Sequence, residues 1–294
     1  MSGILTDTPQ SAKTPRQRKV HVRSVGGWLI WAVVVFFFIN VFAVIAAVLV
    51  QSFGSTWFDS WFPTGWTAKY YGYAWNNFQL PNVMLVTLEV ALTVTVVALL
   101  IGAPAAYVLA RRNFPGKRIL MLCFLLPIMV PTITYGIPLA TLLYQVHLGG
   151  TVIGVILANL VPTVPFVILV LTPFIEQIDP NIETAARSCG AKTHQVLLQI
   201  LAPLIVPGLL ASALLVLVQT VGLFEMSYLV SGPGSQTLVV ALYYSVFASG
   251  IRPAQAISAM AVMYMLTTLI LLVIALRFVS PTQMVAQVPD PERK

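Results

Sequence analysis

The sequence predicts an all-α membrane protein with six spanning helices, and three observations carry that prediction. The 294 residues are 58% hydrophobic and only 9% charged, and the apolar residues gather into runs too long for the core helices of a water-soluble domain. No charge occurs between Arg23 and Asp59, between Arg118 and Glu176, or between Arg252 and Arg277. Finally, six spans sort the 16 Lys and Arg residues unevenly. One side holds five in the N-terminal tail, four at 111–118, Arg187 and Lys192, and Arg277, Arg293 and Lys294, which is fourteen; the other holds only Lys69 and Arg252. Cytoplasmic loops carry the excess of such residues, so both termini are expected in the cytoplasm, with the chain crossing its membrane several times.

Taken in order, residues 1–26 read as a polar, basic, disordered tail containing Pro9 and Pro15. The first span, 28–50, is too long for the 7–15 residue apolar region of a cleavable signal. Residues 57–78, WFDSWFPTGWTAKYYGYAWNNF, concentrate the aromatic rings that suit the headgroup level, or a docking face for an external partner. Span two, 85–109, ends near Gly102, Pro104 and the basic turn RRNFPGKR. Span three, 119–145, contains Pro127, Pro131 and Pro138; span four, 152–174, contains Pro162 and Pro165. Each proline frees a backbone carbonyl that must find a partner inside the protein or in a wet cavity, so these helices are expected to face protein or a passage. Span five, 204–230, leads into an outer segment at 231–253. There SGPG marks a turn and TLVVALYYSVFA is too short to cross easily, which leaves an interfacial helix or a re-entrant segment. Span six, 254–276, closes a transmembrane domain expected over 27–279, and 280–294 form a second cytoplasmic tail.

Several chemistries are excluded by what the sequence lacks. Gly116-Lys117 has neither the upstream Gly nor the following Ser/Thr of a phosphate loop, and no HExxH or GxSxG is present. Cys123 and Cys189 are dispersed and read as unpaired thiols, and His21, His147 and His194 show no metal-ligand spacing. The net charge of +7 is accounted for by orientation, so no nucleic-acid partner is expected.

One polar passage stands between two apolar runs, ETAARSCGAKTHQVLLQILAP at 183–203. It reads as two short helices. Asp179 can cap the first, with Pro180 at its first position and Glu183 in the acid-favouring first turn. Glu183 and Arg187 are four apart and can pair along one face. Gly190 supplies a bend, and a second helix from about Thr193 presents Val196, Leu197 and Ile200 before Pro203 interrupts it at the bilayer. On its residues alone, such a unit is as consistent with a simple solvated loop as with a specific role.

The passage resembles the EAA loop of binding-protein-dependent ABC transporter permeases of the type I importer fold, in which Glu-Ala-Ala, three residues, Gly and nine residues precede Ile-x-Leu-Pro. Thr184, Ala185 and Ala186 occupy the triplet, Gly190 the glycine, and Ile200 to Pro203 the ending, with every spacing kept. Thr184 replaces the motif's Glu and Ala202 its Leu, with Glu183 placed to supply the missing acid. TLEVALTVTVVALLIGAPAAYVLARR, FLLPIMVPTITYGIPLATLLY and SGPGSQTL extend the resemblance from about 82 to 278, toward the spermidine/putrescine-type branch. The resemblance implies that Glu183, Thr184, Ala185, Ala186, Arg187, Gly190, Ile200 and Pro203 form coupling helices seated in a groove of a cytoplasmic ATPase dimer. That dimer binds the ATP and Mg; no cofactor belongs to this chain. It further implies a bacterial plasma (inner) membrane, a second permease subunit, either a homologous chain or a copy of this one, and an extracytoplasmic solute-binding protein.

Ionisable groups within spans are candidates for the solute pathway. Glu89 and Glu225 are expected at similar depth in the outer half, with Gln219 nearer the middle and about 120° from Glu225 around one helix. Such acids suit a polyamine or related organic cation, or else they snorkel to the interface. Opine, phosphonate, iron or sugar cargo is the alternative. A secondary transporter or channel would need inverted repeats, which the sequence does not display, and a membrane enzyme would need clustered His, Cys or acids.

Overall fold

A computed structural model describes residues 25–57, 62–247 and 252–278. Both tails, apart from Val25 and Gly26, lie outside the described residues, as does His21. The described residues fall into two units that divide between Ala47 and Val48. Helix α1 (Val25–Phe53) starts in the first unit, where its apolar side chains from Trp28 to Phe42 are exposed, as a lipid-facing helix requires.

In the second unit, α2 (Lys69–Asn77) precedes α3 (Leu80–Arg111), which packs most extensively on α6 (Val152–Glu176) and then on α9 (Ala202–Gly222). Small and β-branched residues explain that closeness. Val86, Val90 and Val94 of α3 meet Val155 and Ala158 of α6 in one cluster; Ala98 and Ala106 meet Val167, Leu171 and Ile175 in the next. At Gly102 a Cβ would lie 2.5 Å from the Val167 side chain, so glycine is what permits the approach. Where both lipid and protein are apolar, association rests on such packing. The sixth span, α12 (Ala254–Phe278), packs against α2 and α9.

The expected third span is a broken pair. Helix α4 (Lys117–Met129) and α5 (Thr132–Gln145) meet at 92°. Proline explains the break and what satisfies it. Val130, preceding Pro131, is extended at φ −79 and ψ 134, as a pre-proline residue prefers. Pro131 has no N–H for the Pro127 carbonyl, and the Tyr135 hydroxyl donates to that carbonyl instead at 3.1 Å. By contrast α6 runs through Pro162, Pro165 and Pro173 unbroken, and its face is largely buried in protein as the prolines predicted.

The fifth span also departs from the expected 204–230. A continuous helix runs from Thr193 to Gly222, comprising α8 (Thr193–Gln195), a π-helical stretch (Val196–Leu201) and α9. Pro203 therefore does not interrupt the second loop helix. The Ala202 N–H bonds to the Leu197 carbonyl five residues back, and this widened turn is positioned immediately before the proline ring that an ordinary turn would clash with. The real break is at Leu223 (φ −77, ψ 90), followed by α10 (Phe224–Val230). Beyond it, the Ser235 hydroxyl accepts from Gly232 N–H at 2.8 Å and donates to the Gly150 carbonyl at 2.9 Å. The next helix, α11 (Leu238–Phe247), buries Leu238 and Val240 and is anchored by the Thr87 hydroxyl, which accepts from Leu238 N–H at 2.8 Å. It is a short helix packed on α3 and α12, as an interfacial or re-entrant segment would be.

Candidate functional site

The polar passage folds as a short helix, a glycine turn and the start of a spanning helix. Helix α7 (Pro180–Ser188) begins as expected, with the Asp179 carboxylate accepting from Asn181 N–H at 2.9 Å. It ends in a Schellman turn. Ala191 N–H bonds to Ala186 O and Gly190 N–H to Arg187 O, while Gly190 sits at φ +86. The bend at Gly190 is thus required by backbone conformation, because left-handed φ strains residues with a Cβ. Past the turn, the Gln195 side chain accepts from Lys192 N–H at 2.8 Å and fixes the start of α8.

Thr184, Ala185, Arg187, Gly190 and Pro203 are exposed, and Ala186 and Ile200 are half-buried, so the small residues of the triplet form a surface. Leu198 joins them at 71% exposure, whereas Val196, expected on the apolar side with Leu197 and Ile200, is fully buried against the bundle. Cys189 is an exposed free thiol at the end of α7, as is Cys123 in α4.

Glu183 is the exception on α7. It is only 7% exposed and the sole buried residue of that helix. The expected pair with Arg187 does not form: Arg111 Nε donates to Glu183 Oε1 at 2.7 Å, and the Tyr107 hydroxyl donates to Oε2 at 2.9 Å. Arg111 Nη2 also donates to the Ile178 carbonyl, just before α7, at 2.9 Å. The reason is geometric. Arg187 lies on the exposed side of α7, while Tyr107 and Arg111, four apart on the last turn of α3, project from one face toward Glu183. That spacing was visible in the sequence; the partner was not, because 72 residues separate Arg111 from Glu183.

The second feature is a cavity of about 410 Å³ lined by Pro127, Ile128, Thr132, Pro162, Phe166, Gln219, Gly222, Leu223, Phe224 and Glu225. Every element that frames it is interrupted or proline-bearing: the α4/α5 break, the prolines of α6 and the α9/α10 break. Gln219 and Glu225 do share this lining, but the break at Leu223 brings them together, so the expected 120° offset on one continuous helix does not apply. Glu89 is exposed on α3 and is not among the lining residues. Thr132 and Phe224 join the cavity only through those breaks, which is why the sequence did not single them out.

A model of the family described as "Binding-protein-dependent transport system inner membrane component" matches residues 98–284, more than half of the chain. The chain belongs to this family. Its matched region takes in the α3 end, the loop at 180–203 and the cavity. Among similar proteins, the trehalose transport system permease protein SugB of Mycobacterium tuberculosis is 35% identical over 47% of this chain and 50% of its own length. A probable sulfate transport system permease protein of Chlorokybus atmophyticus is 33% identical over 47% of this chain and 52% of its own. A probable molybdenum ABC transporter permease protein of Haloferax volcanii is 29% identical over 53% of this chain. The chain thus spans about half the length of the curated relatives it matches first. In fold it is similar to a bacterial ABC transporter involved in the import of the acidic polysaccharide alginate, with a TM-score of 0.67 at 17% identity, covering 84% of this chain and 96% of that one. The fold is that of type I ABC importer permeases, also shared with the MetNI methionine transporter at a TM-score of 0.55 and 19% identity.

Proposed function

We propose that this permease-family chain is the non-catalytic, membrane-spanning half of an ATP-driven importer, and that its loop at 180–203 seats in an ABC ATPase. The observation that carries the reading is the loop's construction. Exposed Thr184, Ala185, Arg187 and Gly190 surround a Schellman turn, and the following helix continues without a break into a span. A groove can approach the small residues closely, and the continuous helix carries its displacement into the membrane. A cytoplasmic ATPase dimer binds ATP and Mg, a second permease completes the passage, and an external solute-binding protein delivers the cargo. Relatives whose names specify a binding-protein-dependent or ABC system support this assignment of partners.

Both termini face the cytoplasm in this reading. Reporter fusions after residues 115, 190 and 285 are expected inside and one near 70 outside; an outside signal at 190 rejects the topology.

For the cargo, the Glu225 carboxylate in the cavity, beside Gln219 and Thr132, favours a small organic cation of polyamine type. The relatives' names specify trehalose, sulfate and molybdenum, so sugar or anion transport is the competing reading. The test begins with co-purification of an ABC ATPase with the wild-type chain. Reconstituted complexes are then assayed for ATP-dependent uptake of putrescine, trehalose and sulfate, in wild type and Glu225→Gln at equal abundance. Putrescine uptake that falls about tenfold in the variant supports the cation reading, since a hydrogen bond to a charged group contributes about 1.5 kcal/mol and each 1.4 kcal/mol is about tenfold. Uptake of trehalose or sulfate in its place removes it, and absence of any ATPase removes the importer assignment.

A further inference from the structure

We infer that Tyr107 and Arg111 are positioning residues that make the end of α3 and the coupling helix α7 move as one body, with Glu183 as their anchor. This rests on the importer reading above.

The loop at 180–203 touches the spanning bundle by two unlike routes. Its C-terminal route is covalent, since the helix from Thr193 continues to Gly222. Its N-terminal route is the polar clamp. Arg111 reaches the Glu183 carboxylate at 2.7 Å and the Ile178 carbonyl at 2.9 Å, and Tyr107 closes on the second carboxylate oxygen at 2.9 Å. Both charged side chains are nine-tenths buried. Removed from water, a guanidinium–carboxylate contact braced by further hydrogen bonds is short, directional and poorly screened, unlike a surface pair.

The placement of the clamp gives it a consequence. It holds both the Ile178 carbonyl, two residues before α7, and Glu183 in the first turn of α7, so neither rotation nor translation of α7 leaves α3 behind. Helix α3 is in turn packed extensively in the bundle, against α6 and α9. Displacement of α7 by an ATPase therefore reaches α3 through Glu183 at the same time as it reaches α9 through the backbone. The clamp also explains why Glu183 cannot act as a surface acid for an external basic residue: its two oxygens are already engaged within the chain.

The test uses the full chain in complex with its ATPase in nanodiscs, with spin labels at native Cys189 and at Arg112→Cys, and Cys123 replaced by Ser. Both label positions are exposed. The distance between them is measured without nucleotide and after trapping with ATP and vanadate. Wild type is expected to give one narrow distribution that is the same in both states. Arg111→Gln is expected to broaden it about twofold and to make it change with nucleotide, and Tyr107→Phe to do so to a smaller degree. The exchanged pair Arg111→Glu with Glu183→Arg, which restores the ion pair but not the bond to the Ile178 carbonyl, is expected to give a narrower distribution than Arg111→Gln, which a general loss of packing would not do. Should Arg111→Gln fail to insert, Tyr107→Phe and the exchanged pair carry the same comparison. A wild-type distance that changes with nucleotide, or variants as narrow and invariant as wild type, would overturn the inference. Failure of the wild-type chain to capture an ATPase instead overturns the importer reading on which it rests.

Discussion

The two elbows of the molecule, 176–203 beside the end of α3 and 223–238 beside the Gly150 turn, solve one problem with opposite chemistry. Each must hold a short helix against the bundle where a spanning helix begins or ends. The first uses a charged clamp, Arg111 and Tyr107 on Glu183, and leaves most of α7 exposed. The second is tied by neutral groups, its one acid, Glu225, lining the cavity instead. Gly150 N–H donates to the Val230 carbonyl at 2.8 Å, Ser235 bridges Gly232 and Gly150, and Phe224, Tyr228, Tyr243, Tyr244 and Phe247 stack on one another with centroids 4.6–5.9 Å apart. The difference teaches that an elbow whose outer surface stays free for a partner needs one strong internal tie. An elbow whose rings pack on themselves distributes the same task over many weak contacts.

The comparison breaks most sharply at Glu183. Replacement by Ala leaves Arg111 buried without its counter-charge, and a loss of about 3–5 kcal/mol is expected. Thermal unfolding of the purified chain in detergent reads it, and a shift no larger than that of an exposed-site control such as Thr184→Ala refutes the clamp.

At the neutral elbow the strongest effect belongs to Gly232. A Cβ there would lie 2.9 Å from Gly150 Cα, backbone against backbone. Gly232→Val is expected to cost about 1–3 kcal/mol by overpacking, measured in the same melt, and a neutral result would mean that the two turns separate freely.

Gly190 distinguishes strain from docking. Its φ of +86 with open space around it means that substitution meets no neighbour but does meet backbone strain, about 1–2 kcal/mol for Glu. Asn tolerates this conformation better. Gly190→Glu is therefore expected to insert in the membrane yet lose ATPase in pull-down, and Gly190→Asn to retain most of it. Equal capture by both would place the groove elsewhere.

The smallest effect sharpens the contrast. Ser235→Ala removes one neutral bridge, for which about 1 kcal/mol is expected, and salt should not alter it. A loss comparable to that of Glu183→Ala would show that the neutral elbow also depends on a single tie.

Much of this was legible in the sequence because it follows from local composition. Charge-free runs predict spans; Asp179, Pro180 and Gly190 predict the start and end of α7; and the triplet and its spacing predict a surface of small residues. Prolines predicted that spans three and four need satisfied carbonyls, but they could not say which helix would break. Pro131 breaks one because Tyr135 is placed to take the freed Pro127 carbonyl, whereas α6 keeps Pro162, Pro165 and Pro173 within a continuous helix buried in the bundle. The extent of the fifth span was misjudged for a similar reason. Pro203 looks like a stop until a π turn before it lets the helix continue, and no apolar run marks the break at Leu223.

What the sequence determined alone is the inventory of spans, their charge asymmetry and the identity of the loop, since each depends on neighbours within a few residues. Tertiary structure decided which groups meet. It joined Arg111 to Glu183 across 72 residues, drew Gln219 and Glu225 into one cavity through a helix break, and left Glu89 outside it. The physical reason is the range of the forces concerned: hydropathy and caps act along the chain, whereas a buried charge is stabilised only by whatever opposite charge the packing of other helices brings within about 3 Å.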